Sequence, residues 1–185
     1  MFYPGLTWRL VPPSEEQSFK AMKAALTSGC NFWNAGELYG TEEYNSLHLL
    51  QRYFSKYPED ASKVVISIKG GVKNMKPDGS PENLRRSVEN CLKILKGTKK
   101  IDIFEMARVD KNVPLETSLK ELEKYVQAGK IGGIGLSEVN AATIRKAVAI
   151  TKIVAVEVEL SLRSPSVLSN GVAAACSEYE IPLVA

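Results

Sequence analysis

The chain has 185 residues, 44% hydrophobic and 24% charged, a balance expected of one soluble globular domain spanning residues 1–185 with room for a sizeable core. Its net charge of +3 comes from 24 basic and 21 acidic residues spread along the sequence, which excludes a dense basic stripe for nucleic acid or an anionic membrane. No run reaches the length of a membrane span and no charged segment leads into an apolar one at the N-terminus, so a cytoplasmic protein is expected.

In chain order, Gly5-Leu6-Thr7-Trp8 reads as the exit of a first strand. Ser14-Glu15-Glu16-Gln17 is a capping-box pattern opening a helix that ends near Gly29, and a buried strand centred on Phe32-Trp33 follows. The order then recurs: helix over 43–56, strand over 63–69, helix from Ser80-Pro81 to Gly97, strand over 101–107. A helix from Pro114 to about Gln127, stopped by Gly129, leads to a strand from Ile131 to Leu136. Helix 140–150, strand 154–160, helix 166–179 and a last apolar run from Ile181 to Ala185 complete the series.

Such alternation implies a parallel sheet, either open and doubly wound or closed into an eight-stranded barrel. Unusual residues stand at the C-terminal ends of four successive strands: Asn34, Lys69, Ala107 with Arg108, and Ser137 with Glu138. Barrels collect their sites in this way, whereas an open sheet concentrates them at one switch point. Gly132-Gly133-Ile134-Gly135 lies inside a strand, so no dinucleotide-binding glycine turn competes with the barrel reading. A barrel takes about 250 residues, so the fold expected is an α/β (β/α)8 TIM barrel that is incomplete, with about seven strands and the last βα units missing.

Cys30, Cys91 and Cys176 lack the spacing of zinc or redox motifs and read as reduced thiols in or near the core. His48, the only histidine, falls in an amphipathic helix, so neither a histidine-ligated metal nor a Ser-His-Asp triad is expected. The lysines among residues 96–100 read as a solvated helix-to-strand turn. The chemistry concentrates elsewhere. In Asn31-Phe32-Trp33-Asn34-Ala35-Gly36-Glu37-Leu38-Tyr39-Gly40 a tyrosine follows a polar side chain by five residues where strand gives way to loop. Some thirty residues on, Val64-Val65-Ile66-Ser67-Ile68-Lys69 ends in a lysine. Taken singly these are a loop tyrosine and a strand-end lysine. Paired, an ammonium beside a phenol stabilises the phenolate and makes the phenol a proton donor near neutral pH, as carbonyl reduction requires.

The segments NFWNAGELYG, VVISIKGG, IDIFEMARVD, GKIGGIGLSEVN and VAVEVELSL together resemble the aldo-keto reductases over essentially the whole chain, the yeast-type pyridoxal reductases among them. The resemblance implies a TIM barrel that transfers a hydride from NADPH to a carbonyl with an Asp-Tyr-Lys-His tetrad. Its tyrosine falls on Tyr39 and its lysine on Lys69, while its aspartate falls on Asn34 and its histidine on Ala107, with Arg108 and Asp110 retained. Arg108 replaces the histidine only if the strand end turns it inward. Glu105 shares the parity of Ala107 and would lie one layer deeper, a candidate carboxylate for Lys69. Asn34 can accept a hydrogen bond from the lysine without supplying a charge.

For the cofactor, the resemblance places Ser137-Glu138 where a serine–asparagine pair holds the nicotinamide carboxamide, and Glu157 where a glutamine does. Acids in place of amides keep acceptors and remove donors. Thr7 and Trp8 fall beside the cofactor ribose. Two classes of function stay open: an NADPH-dependent reductase of a small-molecule aldehyde, pyridoxal to pyridoxine, and a non-catalytic relative such as a regulatory subunit or an inactive truncated product.

Overall fold

The computed structural model describes residues 13–185. Six parallel strands form one sheet in the order β1 (Phe32–Gly36), β2 (Val65–Gly70), β5 (Ile101–Met106), β6 (Ile131–Ser137), β7 (Ile153–Glu157) and β8 (Leu183–Val184). A short antiparallel ribbon, β3 (Val72–Lys73) with β4 (Lys76–Pro77), projects after β2. The helices are α1 (Glu15–Thr27), α2 (Ser46–Lys56), α3 (Pro81–Leu95), α4 (Leu115–Gln127), α5 (Ala141–Val148) and α6 (Val172–Glu178). Strand order follows chain order without reversal, the signature of a barrel wall rather than of a doubly wound sheet.

The sheet is strongly curled. Neighbouring strands lie about 4.8 Å apart, so four flat intervals would separate β1 from β7 by roughly 19 Å. Yet the Asn34 side chain on β1 hydrogen-bonds the Glu157 side chain on β7. That contact requires the sheet to wrap most of the way round a central axis, and the fold is the (β/α)8 barrel architecture with six of its parallel strands in the described residues. The first strand read at Gly5-Leu6-Thr7-Trp8 lies outside them.

Alternation along the strands sorts the side chains. Trp33, Ala35, Ile66, Ile68, Phe104, Met106, Ile134 and Leu136 are buried towards the helices, where Leu47, Leu50, Leu84, Leu119, Leu122 and Ile144 meet them. Trp33 stacks on Phe54 at 5.9 Å and meets Tyr53 edge-on at 5.3 Å. The Tyr53 hydroxyl donates to buried Asp60 at 2.8 Å, and Lys23 and Lys63 also reach that carboxylate, tying α1, α2 and the turn before β2 together. Burial opposes ionisation of Asp60, and the bonds from Lys23, Tyr53 and Lys63 outweigh it, holding its carboxyl down at about 2.

Helix boundaries follow local capping. Ser14 accepts from the Gln17 N–H, Ser80 from Asn83 and Asn140 from Thr143, as their positions predict. Helix α2 starts at Ser46 rather than 43, because Asn45 accepts from the Leu47 N–H while the His48 ring accepts from the Asn45 N–H. The helix expected over 166–179 is split: a single 3-10 turn at Ser166–Leu168 is followed by Gly171 at φ 86°, and only Val172–Glu178 is α-helical. The strand expected over 154–160 stops at Glu157, and Glu138 caps the next turn by accepting from the Glu159 N–H at 2.8 Å. In the lysine-rich turn, Lys99 is buried against Asp102 at 2.7 Å, not solvated. Cys91 and Cys176 are buried free thiols, and Cys30 is exposed rather than near-core. No described helix is long and apolar enough to cross a membrane.

Candidate active site

The barrel-facing side of the strands carries the polar residues. Cα register pairs Asn34 with Ser67, Gly36 with Lys69, Lys69 with Glu105, Glu105 with Gly135, and Ser137 with Glu157. Alternation points each of these side chains to the same face, so one wall collects Asn34, Ser67, Lys69, Glu105, Ser137 and Glu157. Curvature then brings its two ends together. Lys69 Nζ forms an ion pair with Glu157 Oε1, and Asn34 Nδ2 donates to Glu157 Oε2. Glu157 is therefore the carboxylate of Lys69.

Glu105 lies deeper, 2% exposed, and accepts from the Ser67 hydroxyl at 3.0 Å. Burial is the first cause pushing its carboxyl up to about 8, and the negative field and hydrogen bond of Glu157 add to it against the opposing pull of Lys69. Burial by itself would lower the Lys69 pKa. The hydrogen bond to Glu157 and the fields of Glu105, Tyr39 and Glu157 reverse that, and the ammonium is held above its ordinary range.

Tyr39 approaches from the loop between β1 and α2. That loop is pinned at both ends: the Ser46 hydroxyl donates to the Gly36 carbonyl and accepts from the Gly36 N–H, both at 3.0 Å, and the Ser46 N–H bonds the Tyr39 carbonyl at 2.9 Å. Gly36 is where phenol and lysine converge. A Cβ there would lie 3.1 Å from the Lys69 carbonyl oxygen, 3.3 Å from Lys69 Cβ and 3.5 Å from Tyr39 Cδ2, so the missing side chain is the space they occupy. Glu37, next in the loop, accepts from Ser87 and from Arg86, fixing the loop to α3.

At the end of β6 the Ser137 hydroxyl is 1% exposed and has no hydrogen-bond partner among the described residues. A buried hydroxyl without a partner costs about 1–3 kcal/mol, so this atom is suited to a polar ligand group at the strand ends. Glu138 is exposed at φ 53°, with one carboxylate oxygen committed to the Glu159 N–H. Arg108 is not turned inward: it is exposed and bonds the adjacent Ala107 carbonyl. Asp110 accepts from the Gly79 and Asn112 N–H groups and serves the loops. Thr7 and Trp8 lie outside the described residues.

The structure thus joins Lys69 to Asn34 and Glu157, sets Tyr39 beside Lys69, and leaves Ser137 one strand end away. Ser67 and Ser46 escaped the sequence reading. Inward parity next to Lys69 was the available signal for Ser67; nothing local marks Ser46, whose role is defined by a partner ten residues back on β1.

Residues 5–185 match the model of the aldo/keto reductase family. A Schizosaccharomyces pombe protein named "Probable pyridoxal reductase 2" is 46% identical over 184 residues, covering 98% of this chain and 55% of that protein. A Saccharomyces cerevisiae relative also named for pyridoxal reductase is 39% identical over 198 residues, with 97% and 55% covered. "Probable aldo-keto reductase 1" of Glycine max is 36% identical over 186 residues, with 97% and 52% covered. The chain therefore spans about half the length of these curated relatives.

Proposed function

Because the chain belongs to the aldo/keto reductase family, we propose that it forms the catalytic half of an oxidoreductase that reduces a small aldehyde with NADPH, pyridoxal to pyridoxine being the reaction its relatives' names suggest. The observation that carries this reading is the convergence of Tyr39 and Lys69 over Gly36, with the lysine held by Glu157.

The residues present suit a nicotinamide cofactor: the unpartnered Ser137 hydroxyl offers a bond to a carboxamide at the strand ends, and Glu138 keeps one carboxylate oxygen uncommitted. Bound there, NADPH would supply the hydride. Tyr39, half-buried beside a positive charge, holds the proton that the carbonyl oxygen must receive. Lys69 supplies that positive charge. Glu157 and Asn34 fix where it sits, replacing the aspartate that family resemblance expects at position 34. Glu157 thus acts as a positioning residue as well as a candidate cofactor contact. The Ala107 side chain leaves the strand end open where the family has an imidazole, so orientation of the substrate falls to its own polar groups, as a pyridine ring with hydroxyl substituents would supply. A protein of this kind, with its ordinary composition, would work in the cytoplasm.

Incubation of the intact protein with NADPH and pyridoxal tests the proposal. Cofactor consumption with equimolar pyridoxine is expected. Absence of turnover with pyridoxal and with simple aldehydes, despite cofactor binding, would favour a regulatory relative.

A further inference from the structure

Three titratable side chains meet on the barrel-facing wall, and only one is a cation. Lys69 comes from β2, Glu105 from β5 and Glu157 from β7. Tyr39 adds a phenol from the β1–α2 loop, β1 contributes the uncharged Asn34, and β6 contributes Gly135 and Ser137. We propose that Glu105 is a protonated carboxylic acid that donates its proton to Glu157, so that the two side chains share one negative charge against the single ammonium of Lys69 and so hold that ammonium beside Tyr39.

The acceptor pattern assigns the proton. Both Glu157 oxygens receive hydrogens from other groups, Oε1 from Lys69 and Oε2 from Asn34, which marks Glu157 as the ionised partner. On Glu105, Oε1 accepts from Ser67, leaving the other oxygen for the proton. The two carboxyl groups face the same ammonium, Glu105 as the register partner of Lys69 and Glu157 through its ion pair, and an acid as deeply buried as Glu105 does not ionise beside a carboxylate already paired with that one cation. Room for the pair comes from Gly135, where a Cβ would stand 3.2 Å from Glu105 Cβ and 3.0 Å from Ile103 Cγ2. An amide at position 34 fits the same count, since an aspartate there would press a third acid against Glu157.

A consequence for the proposed reduction follows, and it rests on that reading. Once Glu105 loses its proton, a second negative charge beside Lys69 opposes the charge that develops on the Tyr39 oxygen as it gives up its proton. The rate should then fall as pH rises, and Glu105→Gln, which cannot ionise, should carry that fall about one pH unit or more towards alkali.

Difference infrared spectroscopy on the intact protein, at a series of pH values and without cofactor, reads the proton directly. Wild type is expected to show a protonated-carboxyl carbonyl band at neutral pH that disappears as pH rises through about 8. The near-isosteric Glu105→Gln should lack it. In Glu157→Gln, Glu105 becomes the one carboxyl facing Lys69 and should ionise, so the band should be missing at neutral pH there too. A wild-type spectrum without the band, or a band that persists in Glu157→Gln, overturns the proposal, and the wild-type and Glu105→Gln spectra decide it even if Glu157→Gln fails to fold. Because the band requires no turnover, its presence in an inactive protein would reject the reductase reading while upholding the shared proton; turnover without the band would do the reverse.

Discussion

The places of Tyr39 and Lys69 were legible in the sequence because both stand where a strand hands over to a loop, but a strand's two-residue period fixes only Lys69 inward, Tyr39 lying in the loop beyond β1. Their shared dependence on Gly36 was not legible. Gly36→Ala inserts a methyl group 3.1 Å from a backbone oxygen and 3.3 Å from Lys69 Cβ, distances at which the lysine must shift while the strand cannot. Overpacking of this size typically costs about 1–3 kcal/mol, and a displacement near 1 Å at reacting atoms can cost about 10²-fold in rate. We expect turnover to drop by roughly that factor with only a modest loss of melting temperature; kinetics and thermal melting on one preparation would check it, and unchanged turnover would show that the convergence over Gly36 has no mechanistic weight. The partner of Lys69 was read as Asn34, or as Glu105 one layer down. It is Glu157, 88 residues away, because curvature rather than register brings β7 across to β2. No local pattern in a sequence carries that contact.

At the scale of elements, the order of the helices and of the six parallel strands was readable, since apolar runs, serine caps and glycine stops agree with one another at α1 and α3, whereas the short β3–β4 ribbon was not foreseen. The misjudged boundaries have side-chain causes. Asn45 and His48 form a cap that looks like helix interior in the sequence, and Gly171 interrupts a segment whose alanines and valines read as continuous helix. The cap at α2 has a functional side, because Ser46, the first residue of that helix, also fastens the loop that carries Tyr39. Ser46→Ala would leave the buried Gly36 N–H without its partner, the carbonyl keeping the Tyr39 N–H at 3.2 Å, at a cost of about 1–3 kcal/mol. Urea unfolding should show a lower midpoint with unchanged slope, and turnover measured well below that midpoint should still be reduced because the loop has lost its anchor. Equal turnover in the folded variant would separate the loop's anchorage from catalysis.

Over the whole molecule, sequential parallel strands, a curled sheet and polar residues gathered at the strand ends form one arrangement: a loop tyrosine held beside a partly buried ion pair. The alternation of elements announced a barrel, and the curl that closes Asn34 onto Glu157 gives that barrel its charge network. The most direct test of Tyr39 as the proton donor is the rate of NADPH-dependent pyridoxal reduction by Tyr39→Phe beside wild type, with cofactor affinity measured on both. Removing a general acid typically costs about 10²–10⁴-fold, so a loss within or beyond that range, with cofactor affinity nearly unchanged, is the result expected. Retention of more than about a tenth of the wild-type rate would be far too small a loss for a general acid and would contradict the assignment.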